Sequence, residues 1–268
     1  MSVSKFSVLM SVYKGDSPKF LTECLLSLKN QTLSPNELIL IEDGPISSEL
    51  EGVINKFRYE LKIISVKLKK NFGLGVALNK GLAFCNYDLI ARMDADDIAT
   101  PKRFKKQVNY MDTYLEVSAS SGAVKEFNEQ YETVFVRSCP LTHSEIINFS
   151  KKRSPLNHPA TIFRKGDIES VGGYPALRHA QDYALWSNLI VNGFQLGNLP
   201  DILVRMRTGE GLLQRRGVRH FKQEVKLLEF QRKIGFLTYW QYIVNKFSRF
   251  ILRLSPHFLK SIFYKMLR

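Results

Sequence analysis

Cysteine is scarce in this chain. Cys24, Cys85 and Cys139 are the only three in 268 residues; they are odd in number and lie too far apart for metal-ligand spacing. A disulfide framework is thereby excluded, and a reducing cytoplasm is the expected compartment. Long apolar runs are lacking too. No stretch approaches the roughly 18 to 20 continuous apolar residues that cross a bilayer, and "FSVLMSVY" near the N-terminus is about half a span with no small-residue cleavage site behind it. It reads as a first buried strand. Internal repeats and low-complexity linkers are missing, and acidic residues become rare toward the C-terminus. Residues 203–268 hold 15 Lys and Arg against 3 Asp and Glu, whereas the first 202 residues hold 24 against 22. The formal charge of +14 therefore belongs to the tail, beside a nearly neutral body, and the two need separate explanations. A hydrophobic content of 44% is ample for a buried core in one large domain, with or without an appendage.

Apolar, β-branched runs alternate with helical patterns through the first half. Strands are expected over 6–13, 37–42, 62–68 and 87–93, with helices around 18–30, 48–58 and 74–85. This βαβαβαβ order predicts an α/β fold: a mostly parallel, Rossmann-like sheet, flanked by helices and joined by right-handed crossovers. A helix is expected to open at Pro101 in "PKRFKKQVNYM". Residues 116–206 mix short strand candidates ("TVFVRS", "ATIFRK", "DILVRM") with short helices and are expected to build the acceptor side of a cleft. From about 213 the pattern is helical, broken at Pro256. The expected division is a domain over 1–212, with halves at 1–115 and 116–212, then a basic amphipathic helical extension over 213–268.

Ligands of open parallel sheets bind outside the carboxyl ends of the strands. Beyond those ends the chain places, in turn, Tyr13 with Lys14, Glu42-Asp43-Gly44, Asn71-Phe72-Gly73, and Asp94-Ala95-Asp96-Asp97. Any one of these alone is an ordinary turn; four at one sheet edge suggest a site. The last puts three carboxylates into four positions, and they repel one another unless a cation sits among them. On an extended segment Arg92, Asp94 and Asp96 point the same way. A hard divalent cation, Mn²⁺ or Mg²⁺, would remove the repulsion and complete its shell with water and phosphate oxygens. The competing reading is structural, with Asp97 capping the next helix and Asp94 paired to Arg92. The three glycines of "NFGLGVALNKGL" lack G-x-G-x-x-G spacing and are read as a turn followed by close helix–sheet packing.

The ordered set "SVLMSVY", "ILIEDGP", "NFGLGVALNKGL" and "ARMDADDIATPKRF" resembles the family 2 glycosyltransferases of GT-A fold, especially the short bacterial enzymes of O-antigen and capsular polysaccharide assembly. "GGYPALRHAQDYALW" and "GLLQRRGVRHF" match later signatures, so the likeness covers most of the chain. It implies a nucleotide-sugar donor over the first four strand ends. Tyr13 and the Glu42-Asp43 pair would contact the base and Asp94 the ribose, while Asp96 would bind the metal on the diphosphate. Ser11, Asn71 and Arg92 complete the donor-side candidates. Two departures stand out: Ser11-Val12-Tyr13-Lys14 replaces a common Pro-x-Tyr-Asn, and Glu42 replaces a common Asp.

Transfer to a hydroxyl needs a group that removes the acceptor proton, and an ionised carboxylate within hydrogen-bond reach does this. Asp182, at a helix start with Trp186 and Leu189 on its face, is the candidate base; a plain N-terminal cap is the alternative. The family's Glu-Asp pair at this point, whose Asp is the base, strengthens the first reading, although Gln181 stands in for the Glu. A base without a second nucleophilic carboxylate implies direct displacement with inversion. Arg215 and Arg216 resemble the family's mobile segment that closes over the diphosphate, with an exposed basic helix start as the other reading. His158 is expected on the acceptor side, or else as a structural histidine.

Residues 236–268 carry six Lys or Arg, no acid and nine aromatics. Trp240, Val244, Phe247, Ile251 and Leu254 recur at helical spacing beside Lys246, Arg249 and Arg253, a pattern suited to lying flat on an anionic membrane or to packing on the domain. The expected function is transfer of one sugar, with galactose favoured by subfamily likeness, from a UDP-sugar to a lipid-diphosphate-linked saccharide. The enzyme would work in the cytoplasm, peripheral on the inner face of the cell membrane. A sugar-1-phosphate nucleotidyltransferase is a rival, but "SVYKGDSP" is a poor phosphate loop. A nucleic-acid-binding protein is another; it leaves the acidic cluster unexplained, so nucleic acid is not expected as a partner.

Overall fold

The computed structural model describes residues 3–208 and 218–254. Four parallel strands form one half of the sheet: β1 (Phe6–Val12), β2 (Glu37–Glu42), β3 (Ile63–Lys67) and β4 (Leu89–Asp94). Their connections are α1 (Pro18–Lys29), α2 (Ser48–Phe57) and α3 (Leu74–Leu82). The strands arise where expected because their residues are apolar on both faces; β2 is buried along its whole length, as a sheet covered by helices on two sides requires. One apolar layer packs Val8, Met10, Leu38 and Leu40 against Leu21, Leu25 and Leu28 of α1. The opposite layer packs Leu9, Ile39 and Ile41 against Ala77, Leu78 and Leu82 of α3. Gly81 permits that second contact, since a Cβ there would come within 2.4 Å of Leu9 Cδ1 and 2.9 Å of Ile41 Cγ1.

The second half departs from a parallel sheet. The remaining elements are β5 (Ile98–Ala99), α4 (Arg103–Thr113), β6 (Val117–Phe127), β7 (Thr133–Arg137), α5 (His143–Ser150), a 3₁₀ turn His158–Ala160, β8 (Ile162–Arg164), α6 (Lys165–Ser170), α7 (Gln181–Val191) and β9 (Gln195–Arg207). The strand order is β3-β2-β1-β4-β8-β6-β9-β5, with β7 on the side of β6. β8 runs antiparallel to β4 and to β6, and β6 is parallel to β9. Sequence reasoning missed β6. Its "VSASSGAV" has neither alternation nor β-branched density, yet its first eight residues are buried. The polarity is satisfied internally: Ser121 Oγ donates to Asn198 Oδ1 at 2.7 Å and accepts from the Asn157 N–H at 3.0 Å. Pro101 precedes α4 rather than opening it, because the cap is Lys102.

Two further helices, α8 (Val218–Lys233) and α9 (Tyr239–Leu254), complete the described chain. α8 packs on α7 through Leu227 against Tyr183 and Ala184, and Gln231 Nε2 donates to Ser187 Oγ at 2.8 Å in a buried contact. α9 folds back on α8, with Tyr242 beside Leu228, Phe236 and Leu237. Trp240, Val244 and Phe247 face solvent at 74%, 60% and 62% exposure. No described helix is long and apolar enough to cross a membrane. The expected break at Pro256 lies outside the described residues, as do Arg215 and Arg216.

Candidate active site

The parallel register brings the donor-side candidates to one sheet edge. Ser11 pairs with Asp94 across β1 and β4, and Val12 with Glu42 across β1 and β2. Tyr13 comes directly after, 45% exposed, with its N–H donating to Asp16 Oδ2 at 2.9 Å. Glu42 is buried, and its carboxylate lies 3.5 Å from Lys67 Nζ. Asp43 is also buried, and both of its oxygens are engaged: Oδ1 accepts from Phe72 N–H at 2.7 Å and Oδ2 from Gly73 N–H at 2.9 Å. Asp43 thus ties the end of β2 to the loop that carries the exposed Asn71. Gly44 makes this approach possible, having φ +92° and a hypothetical Cβ only 2.8 Å from Asn71 N.

The three aspartates converge. Asp94, Asp96 and Asp97 offer carboxylate oxygens within 4.8 Å of one another. Arg92 is buried and ion-paired with Asp94, so half of the structural alternative read from the sequence is present, underneath the cluster. The other half is not, because α4 is capped by Lys102 and not by Asp97. Asp97 instead accepts the Arg207 N–H at Oδ1, 2.8 Å away. Burial, then Asp94 and Asp96, push its carboxyl well up. Burial and Asp94 likewise raise Asp96, which stays exposed at the mouth of the cluster. Asp97 Oδ2 is buried without a hydrogen-bond partner among the described residues, and so are Arg92 Nε and Nη1. Unpaired buried oxygen beside like charges fits a hard cation, and unpaired guanidinium N–H groups fit an anionic or water ligand. The donor set, carboxylate oxygen only, suits Mn²⁺ or Mg²⁺.

Opposite the cluster stands α7. Its N-cap, Ala180, has φ 55° and ψ 29°, a left-handed conformation that costs a residue with a Cβ and is tolerated where the surroundings enforce it. Asp182 lies in the first turn. Trp186 and Leu189 on the same helix are fully buried, as the spacing predicted. Burial pushes the Asp182 carboxyl up, while the N–H of Tyr183 and the charges of Arg92 and Arg137 pull it partly back. His158 is buried, with Nε2 3.0 Å from the Tyr174 hydroxyl and its ring edge-on to Trp186. Burial and Arg92 push His158 well below its ordinary range, so it is neutral at physiological pH. Tyr174 is tied to α3 by a reciprocal pair, Asn79 Nδ2 to Tyr174 O at 2.9 Å and Tyr174 N to Asn79 Oδ1 at 2.8 Å. The Arg92 charge thus acts both on Asp94, its ion-pair partner, and on Asp182.

Two neighbours escaped the sequence reading. Asp16, in a loop read only as a turn, has its carboxyl pushed up to about 6 by burial, countered by the Tyr13 N–H and reinforced by Asp96 and Asp94. Arg207, the last residue of β9, reaches across the fold. Its Nε donates to Asp96 O at 3.1 Å and its Nη2 to Glu23 Oε2 at 2.6 Å, while its guanidinium stacks 3.9 Å from the Phe20 ring. No local signal reveals the reach of Arg207 or the charges of Asp94 and Asp96 on Asp16, because these partners lie far away in the chain.

Comparison with known proteins agrees with this architecture. Residues 7–170 match the family model described as glycosyl transferase family 2. The chain is 39% identical over 263 residues to UDP-Gal:alpha-D-GlcNAc-diphosphoundecaprenol beta-1,3-galactosyltransferase of Escherichia coli, covering 97% of this chain and 95% of that one. It is 39% identical over 255 residues to the amylovoran biosynthesis glycosyltransferase AmsE of Erwinia amylovora, covering 94% of each. Among solved structures, S. aureus TarS 1–349 in complex with UDP-GlcNAc superposes with a TM-score of 0.66 over 92% of this chain and 72% of that one, at 18% identity. The shared architecture is the GT-A fold.

Proposed function

The chain belongs to glycosyl transferase family 2, and from that membership we propose an inverting galactosyltransferase that moves galactose from UDP-galactose to a saccharide carried on a lipid diphosphate. The observation that carries the reading is the convergence of Asp94, Asp96 and Asp97 beside the buried Arg92, whose charge also acts on Asp182. The relative named for transfer from UDP-Gal to a GlcNAc-diphosphoundecaprenol supports the choice of donor and acceptor class.

In the proposed reaction Asp182 accepts the proton of the acceptor hydroxyl. The oxygen so released forms its bond to the anomeric carbon from the face opposite the nucleotide, and the bond to the diphosphate oxygen breaks with its electron pair leaving on UDP. An α-linked donor gives a β-linked product. Burial raises the Asp182 carboxyl, which makes its ionised form a stronger base than an exposed carboxylate. Tyr13, with Ser11, Asn71 and the backbone that Asp43 orders, forms the nucleoside end. Glu42 lies beneath it, and Asp94, steered by Arg92, faces the ribose. Asp96 would hold the divalent cation, with the free Asp97 oxygen beside it, and a bound ion would supply charge that offsets the leaving diphosphate. Arg215 and Arg216, outside the described residues, are assigned the closing segment over the diphosphate. His158, neutral and fixed by Tyr174, shapes the acceptor side.

α9 supplies the contact with the acceptor's membrane. Trp240, Val244 and Phe247 project outward, with Lys246 and Arg249 beside them, while Tyr242 faces the domain. An amphipathic helix so placed binds anionic bilayers in the plane of the interface.

Incubation with UDP-galactose, Mn²⁺ and a synthetic GlcNAc-α-diphosphoryl lipid should yield UDP and a β-galactoside whose linkage is read by NMR. Production of an α-galactoside would refute inversion. UDP release from a different UDP-sugar only would refute the choice of galactose.

A further inference from the structure

β7 is not required by the chemistry above, yet it ends beside it. All five of its residues are exposed, an unusual state for a strand with Val, Phe and Val in succession, and such an edge is normally covered. Thr133, Phe135 and Arg137 share one face by alternation. Arg137 closes the strand where the site begins. Its carbonyl accepts from Asn157 Nδ2 at 3.2 Å, and the same nitrogen donates to Gly122 O at 2.9 Å. This clamp lies next in sequence to His158, which touches Tyr174.

The Arg137 guanidinium is weakly engaged. Its Nη2 lies 3.4 Å from Met206 Sδ, a poor acceptor, and its Nη1 lies 3.9 Å from Glu126 Oε1; the side chain is 43% exposed. Met206 adjoins Arg207, whose backbone and side chain brace Asp97 and Asp96. Arg137 thus has donors to spare, its carbonyl is held beside the residue that precedes His158, and its charge reaches Asp182. Arg92, the other guanidinium that acts on Asp182, is buried and paired.

We propose that Arg137 binds the diphosphate of the acceptor. This rests on the function proposed above. In a monosaccharide-diphosphate lipid a single sugar ring separates the reacting hydroxyl from the phosphates, so a cation whose charge reaches Asp182 is within range of them. A guanidinium matches paired phosphate oxygens in bidentate fashion.

The test compares the wild type with Arg137→Gln and Arg137→Lys on two acceptors, GlcNAc joined to a decyl chain through a diphosphate and decyl GlcNAc without phosphates. Binding of UDP with Mn²⁺ is measured alongside. Arg137→Gln should lower kcat/KM for the diphosphate acceptor by roughly 10- to 100-fold, the loss expected for a charge-assisted bond. Because the Arg137 charge also acts on Asp182, the loss on the phosphate-free acceptor should be much smaller, UDP affinity should be unchanged, and Arg137→Lys should restore part of the difference between the two acceptors. Equal loss on both acceptors overturns the proposal in favour of a role in pocket shape, and weakened UDP binding overturns it in favour of the donor diphosphate. If the wild type uses neither acceptor, the functional reading has failed separately. Direct binding of decyl diphosphate to the UDP-saturated protein then decides: weaker binding by Arg137→Gln sustains the diphosphate site, and equal binding overturns it.

Discussion

Asp43→Ala removes a carboxylate whose two oxygens hold two backbone N–H groups, at 2.7 and 2.9 Å, in a setting only 4% exposed. Each such charge-assisted bond is worth about 1.5–3 kcal/mol. Alanine leaves space for water to re-solvate part of the loss, so a net cost of about 2–4 kcal/mol is expected, a large share of a domain stability of about 5–15 kcal/mol. At about 2–4 °C per kcal/mol for a chain of this size, the melting temperature should fall by roughly 4–16 °C. Urea denaturation measures the free energy, and amide hydrogen exchange supplies the local signature. Phe72 and Gly73 should lose protection while β1 and β2 amides keep their rank order. UDP affinity should fall too, because the Asn71 loop loses its tether. Lys67→Met, which removes an exposed partner of Glu42, serves as a control and should leave the melting temperature unchanged. Unaltered exchange at Phe72 and Gly73, with stability within about 0.5 kcal/mol of wild type, would refute the view that Asp43 is a backbone brace.

Asp96→Ala should abolish the Mn²⁺ dependence of UDP binding and cut transfer by at least about 100-fold; titration of Mn²⁺ by calorimetry checks it, and unchanged affinity counts against the metal assignment. Asp182→Asn should retain UDP binding and lose transfer by about 10²- to 10⁴-fold. Because burial raises the Asp182 carboxyl and the base works ionised, wild-type kcat/KM should fall with acidification at a pH above the ordinary carboxylate range, with that limb absent from Asp182→Asn. Asp16, pushed from an ordinary 3.8 to about 6, favours the folded state when neutral; its contribution is complete below 3.8 and lost as pH rises through 6. Asp16→Asn should therefore raise the melting temperature of the metal-free protein at pH 8 and leave it unchanged at pH 4. The double substitution Trp240→Asp, Phe247→Asp should release the protein from anionic vesicles in sedimentation without changing UDP binding. Point charges are preferable to deletion of α9, since Tyr242 is part of the core shared with α8.

Much of the first half was readable from local pattern. β2 falls on 37–42 as expected, and α1, α2 and α3 each begin where their signals predict, because buried parallel strands and amphipathic helices impose periodicities of two and 3.6 on neighbouring residues. The four polar strand ends gather by topology, since parallel strands with right-handed crossovers bring their carboxyl ends to one edge. β6 was hidden because a central strand made of Ser, Ala and Gly carries no hydrophobic signature, its polarity being absorbed by Asn198 and Asn157. Arg207 and Asp16 were hidden for a related reason.

The amino-acid order alone determined the parallel half of the sheet, the edge to which the candidate residues come and their types, because each depends on short-range periodicity and strand direction. Only the folded molecule decided which charges meet. It put Arg92 beneath Asp94, bound both Asp43 oxygens to a loop about 30 residues on, and carried Arg207 to Asp96 and Asp97 across 110 residues of chain. Electrostatic partnership acts through space at a few ångströms, and separation along the chain holds no record of it.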